Sequence, residues 1–75
     1  MQLLEALNGK WVRVLRVEGD RALKNRLAQH GLYPGDLVRV LRTAPLDGPL
    51  LVEANGREIA IGRSVAENIF IEDIE

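Results

Sequence analysis

Few side chains in this 75-residue chain are able to do chemistry, and their spacing argues against most reactions. His30 is the only imidazole and cysteine is absent, so a single chain cannot assemble a zinc cage of His and Cys ligands. Asp20, Asp36, Asp47 and Glu53 show no ligand spacing that would recruit His30 to a metal. His30 follows Leu27 by three residues and Leu23 by seven, which puts it near the apolar side of a helix end as a packing or capping residue. Ser64 has no histidine beside it in the sequence, so a nucleophilic triad is not supported. Glu72-Asp73-Glu75 reads as a solvated acidic end rather than an acid–base pair. Glycines stand singly at turns and never form a phosphate-cradling loop. The expectation is a non-enzyme with no cofactor, no metal site and no nucleotide site of its own.

What remains is recognition. Gly9-Lys10-Trp11-Val12-Arg13-Val14-Leu15-Arg16 recurs 26 residues later as Gly35-Asp36-Leu37-Val38-Arg39-Val40-Leu41-Arg42. Two copies are too few for a solenoid, and two strands solving the same packing problem account for the match. On a period of two, Val12 and Val14 share one face and Trp11, Arg13 and Leu15 the other. Val38 and Val40 likewise oppose Leu37, Arg39 and Leu41. A barrel interior needs only one of these apolar sets, so the other must lie under a helix or at an accessible patch. Trp11, Arg13 and Arg39 are the first candidates for partner binding, with Arg21 and Lys24 next, against an acidic partner surface. Two alternatives stay open at this point. Trp11 can instead plug one end of a barrel, and Arg21, Lys24 and Arg26 can form a merely solvated helix face.

Composition narrows the partner classes. The formal net charge is −1, so no global field draws in nucleic acid or an anionic membrane. Hydrophobic residues make up 47% but aromatics only 4%, so the core must be built from Val, Ile and Leu, which suits strands. The length accommodates one domain over residues 1–75, with a small core and modest stability. No signal peptide or membrane-length apolar run is visible, which points to the cytoplasm.

These residues need elements to position them. Residues 10–18 read as a strand, Asp20 as the cap of a helix over 21–30, and Gly31 as its left-handed end. Pro34-Gly35 suits a type II turn leading into a strand over 36–43, and Ala44-Pro45-Leu46-Asp47-Gly48-Pro49 forms a second turn. Asn55-Gly56 between the apolar runs 50–54 and 57–61 is a hairpin signal. A short turn or helical piece at 62–68 precedes a last strand at Ile69-Phe70-Ile71. Five short strands with one inserted helix predict a mainly β fold, a small barrel whose closure would remove exposed edges.

The order of these features resembles the FeoA family, small cytoplasmic companions of the ferrous-iron transporter FeoB. The resemblance is carried by the glycine-led first strand, R-L-x-x-x-G-L-x-P-G at residues 26–35, and the strand at 37–41. Ala44-Pro45 with Gly48-Pro49, the segment 56–61, and Ala66-Glu67-Asn68-Ile69-Phe70-Ile71 complete it. It implies an SH3-like barrel and a role in iron homeostasis, through contact with the cytosolic, GTPase-containing part of a FeoB-like transporter. Where many relatives carry a basic run in the closing segment, this chain has Ile61-Gly62-Arg63-Ser64. A similar SH3-like domain ends the iron-dependent repressors, but a repressor needs a helix-turn-helix upstream. With its lead segment starting at Met1, the chain is expected to be free-standing. A small metal-sensing module, with transition-metal-ion binding of its own, is the remaining alternative.

Overall fold

Alternating valines set the frame of the sheet. In the computed structural model, which describes residues 1–74, the strands are β1 (Trp11–Val17), β2 (Leu37–Thr43), β3 (Leu50–Ala54), β4 (Arg57–Ile61) and β5 (Ile69–Asp73). Helix α1 (Arg21–Gln29) is inserted between β1 and β2, the short helix α2 (Arg63–Ala66) precedes β5, and a 3-10 turn (Leu3–Glu5) leads the chain. Glu75, the last residue of the expected acidic end, lies outside the described residues. The sheet is antiparallel throughout, in the order β4-β3-β2-β1-β5. Val12, Val14, Val38, Val40 and Val52 are all buried on its inner side, where Leu3, Leu27, Leu32, Ile69 and Ile71 join them in one core.

The mainly β arrangement of five strands and one inserted helix is as the sequence predicts, and it agrees with the SH3-like fold that the family resemblance implies. The expected closure does not occur, because among the described residues no ladder joins β4 to β5 and the sheet ends at two edges. One edge is covered locally: Gln2 bridges to Phe70, and the Ile71 N–H donates to the Met1 carbonyl at 2.8 Å. Such local cover protects strand edges without closure.

The turns are built as their residues dictate. Asp20 Oδ1 accepts the Leu23 N–H at 2.9 Å, capping α1. At the other end the Leu32 N–H reaches the Leu27 carbonyl at 3.0 Å and the Gly31 N–H reaches that of Ala28 at 2.9 Å. With Gly31 at φ +82 this is a Schellman closure, and buried Leu27 and Leu32 supply its apolar contact. Asn55 and Gly56 both take positive φ, as a type I′ hairpin turn requires. The Asn55 amide also donates to the Gly31 carbonyl at 3.1 Å and to Asp36 Oδ2 at 3.3 Å, tying this hairpin to the end of α1.

The internal repeat folds as a local pseudo-twofold. Val12 pairs with Val38 on the axis, while Trp11 faces Arg39 and Arg13 faces Leu37. The Gly9 N–H donates to the Val40 carbonyl and the Gly35 N–H to that of Val14, both at 2.7 Å. Each strand then has a register shift at the matching place, between Val14 and Arg16 in β1 and between Val40 and Arg42 in β2. A bulge turns the local side-chain alternation, which is why Arg16 and Arg42 are exposed where a strict period of two would turn them inward with the valines.

Candidate partner-binding surface

The outer face of the sheet is a mosaic of apolar and charged side chains. The antiparallel register sets Glu58, Glu53, Arg39 and Trp11 in one row across four strands. The Arg39 guanidinium bonds Glu53 Oε1 at 2.7 Å and lies 4.8 Å from the centroid of the Trp11 ring. Trp11 is half-buried outside the core, beneath an arginine that a carboxylate holds in place. The neighbouring row holds Leu37, Arg13 and Glu72, with Arg13 3.9 Å from Glu72. Leu15 and Leu37 are exposed and Leu41 half-buried, so this apolar set is an accessible patch. Helix α1 leaves it open: its buried residue, Leu27, joins the core formed by the inner-face valines.

The cations divide into two groups. Lys10, Arg13, Arg16, Arg39 and Arg42, all on or next to β1 and β2, pair with Asp73, Glu72, Glu18, Glu53 and Glu58. Among the described residues, Arg21, Lys24, Arg26, Arg57 and Arg63 take no carboxylate partner. The structure therefore brings Trp11, Arg13 and Arg39 together on the sheet and places Arg21 and Lys24 apart from them on α1. Arg13 and Arg39 are engaged by neighbouring strands, whereas the helix cations are electrostatically available. These ion pairs join residues 14 and 59 positions apart, so no local pattern reveals them.

A groove of about 470 Å³ runs between α1 and the Pro34 turn, with Leu27, Ala28 and Tyr33 in its wall and Arg16 and Lys24 among its lining. The Tyr33 hydroxyl donates to the Ala28 carbonyl at 3.2 Å, fixing the exposed ring against the helix. Sequence reasoning did not find this groove; the aromatic before the Pro-Gly turn was its only signal. His30 is exposed at the C-cap of α1, and its carbonyl accepts the Arg57 guanidinium. Ser64 lies within α2, where its carbonyl accepts the Asn68 amide at 3.3 Å. Asp20 and Asp36 are used structurally, the first as a helix cap and the second accepting the Tyr33 N–H at 2.9 Å. Among the described residues, no three His, Cys, Asp or Glu side chains gather where they could hold a metal ion. No helix among them is long and apolar enough to cross a membrane.

Comparison with known proteins gives this geometry a context. The family model described as FeoA domain matches residues 1–73. An Fe(2+) transport protein A of Methanocaldococcus jannaschii is 33% identical over 70 residues, covering 93% of this chain and 83% of the relative. The solution structure of iron(II) transport protein A from Clostridium thermocellum superposes with a TM-score of 0.93 at 27% identity. That match covers 99% of this chain but only 46% of the Clostridium chain. A manganese-dependent transcriptional repressor superposes at 0.89 with 21% identity, covering 99% of this chain and 41% of the repressor, a likeness of fold alone.

Proposed function

The chain belongs to the FeoA family, and on that premise we propose that it is a non-catalytic accessory protein of ferrous-iron uptake. It works in the cytoplasm by docking on the cytosolic, GTPase-containing part of a FeoB-like membrane transporter. The observation that carries this reading is the division of surface charge. The outer sheet face offers an aromatic and aliphatic platform whose arginines are internally neutralised, while α1 offers cations with no partner of their own. Binding energy tends to concentrate at Trp and Arg within an apolar centre, and unpaired rim charges steer encounter. In this division Trp11, Arg13 and Arg39 form the packing platform. Arg21 and Lys24 meet the acidic surface of the partner.

The test is calorimetric binding of this protein to the soluble cytosolic domain of the cognate transporter. Wild type should bind with micromolar or tighter affinity, Trp11→Ala should weaken that binding, and Arg21→Glu with Lys24→Glu should weaken it more at low salt than at high salt. Absence of any binding by the wild type refutes the reading. One second reading is a metal-sensing module. Titration with ferrous, manganese or zinc ions separates the two, because a sensor shows a tight stoichiometric site and a docking module does not.

A further inference from the structure

We propose that the loop joining β2 to β3 is a docking spike whose Leu46, presented beside Asp47, enters an apolar socket with a cationic rim on the partner protein. The inference rests on the docking reading above and names one contact within it. Leu46 is 99% exposed, more than any other large hydrophobic residue described, and its backbone is left-handed at φ +60. Asp47 follows at φ +56. A left-handed backbone disfavours L residues other than Asn, Asp and Gly, and an exposed leucine recovers nothing by burial. The same sheet shows how a merely connecting turn is made, for Asn55-Gly56 fills both positive-φ positions of the β3–β4 hairpin with residues suited to them. At Leu46 the chain keeps a large apolar side chain where the backbone opposes it, and a backbone outlier held against its own preference points to function.

The rest of the loop holds this tip still. The Ala44 N–H donates to the Pro49 carbonyl at 2.9 Å, and the Gly48 N–H reaches the carbonyls of Ala44 and Pro45 at 3.2 and 3.1 Å. A Cβ on Gly48 would sit 2.9 Å from Ala44 Cβ and 3.0 Å from the Pro45 oxygen, so the turn closes tightly only around glycine. Pro45 and Pro49 restrict the backbone on either side. A rigid presenter lowers the ordering entropy that binding must overcome.

Charge and surroundings identify the occupant. Asp47 has no cationic partner among the described residues, so a socket carrying Lys or Arg at its rim complements the tip. An anionic bilayer would repel that carboxylate, and one leucine is a weak membrane anchor. Other exposed apolar residues share this end of the sheet. Gly9 binds Val40 and Asp73 faces Val12, so exposed Leu7 and Ile74 lie at the same end of the sheet.

The experiment compares Leu46→Gly, Leu46→Asn and Leu46→Met in calorimetric binding to the cytosolic domain of the cognate transporter, with thermal melting alongside. Glycine and asparagine accept the left-handed backbone, so both variants should melt at or above the wild-type temperature and bind at least tenfold more weakly. Methionine keeps the apolar tip and should retain affinity within about threefold. Wild-type affinity in Leu46→Gly overturns the inference, as does a melting point several degrees lower, which would show Leu46 to be part of the packing. Leu46-dependent self-association, or Leu46-dependent sedimentation with phosphatidylglycerol vesicles, also overturns it by naming another occupant. If wild type fails to bind at all, the docking reading falls and this contact with it. If wild type binds and Leu46→Gly binds equally well, only the contact falls.

Discussion

Replacing Gly31 by valine tests how the end of α1 is held. Gly31 sits at φ +82, and its N–H completes the helix closure with the Ala28 carbonyl. A side chain in that region costs about 1–2 kcal/mol, with a β-branched residue at the upper end. The new Cβ would also collide with the Arg57 guanidinium, which bonds the His30 carbonyl. Arg57 is an exposed, flexible side chain, so moving it forfeits one surface hydrogen bond, about 0.5–1.5 kcal/mol. The two effects together predict a loss of about 2–3 kcal/mol, which in a domain of this size lowers Tm by roughly 10–20 °C. Thermal and urea melts measure it, and two companion variants separate the causes. Gly31→Asn accepts the backbone but keeps the collision, and should recover about 1 kcal/mol relative to valine. Arg57→Ala alone should cost only the lost hydrogen bond, and in the Gly31→Val background it removes the collision, leaving the backbone cost of valine. A Gly31→Val variant melting within about 2 °C of wild type would refute the reasoning, because it would mean that the backbone there is ordinary.

Asp20→Ala should cost about 1 kcal/mol by leaving the Leu23 N–H without its acceptor, read as a lower Tm with some loss of helical signal. Val38→Ala, at the fully buried centre of the β1–β2 pairing, should cost about 2 kcal/mol in urea denaturation. Arg39→Glu would add a carboxylate to the row already holding Glu53 and Glu58 and uncover Trp11. It should destabilise by about 1–2 kcal/mol and change the tryptophan emission. Arg21→Glu with Lys24→Glu should leave Tm nearly unchanged, because neither side chain has an ion pair to lose, while weakening association with the transporter domain.

Local chemistry made much of the fold legible. Asp20, Gly31, Pro34-Gly35 and Asn55-Gly56 each act through their own backbone or near neighbours, and each stands where its residue type requires. The valine alternation identified the buried face because strand geometry makes it strictly local. Closure of the sheet was not legible, since it depends on whether β4 meets β5 across the whole domain. The site was half legible for the same reason. That one apolar set on β1 and β2 lies outside the core followed from counting faces, but its being open rather than under the helix, and the pairing of Arg13 with Glu72 and of Arg39 with Glu53, arise from strand order and packing. The exposed Leu46 gave no signal, because a proline-flanked loop reads alike whether its tip is tucked in or projected.

The pseudo-twofold between β1 and β2 also has a consequence for a chain that has not finished folding. Because the two strands carry equivalent residues, a second β1 can offer the first an antiparallel register centred on Val12, as β2 does with Val38. Newly made chains at high concentration thus face a choice between correct pairing and a symmetric mispairing of like strands. The tether through α1 and the Pro34 turn tips that choice, since it holds β2 near β1 at an effective concentration on the order of millimolar. Misassembly through this route should therefore grow only as the chain concentration approaches that value. Fragments carrying β1 without β2 lose the protection altogether.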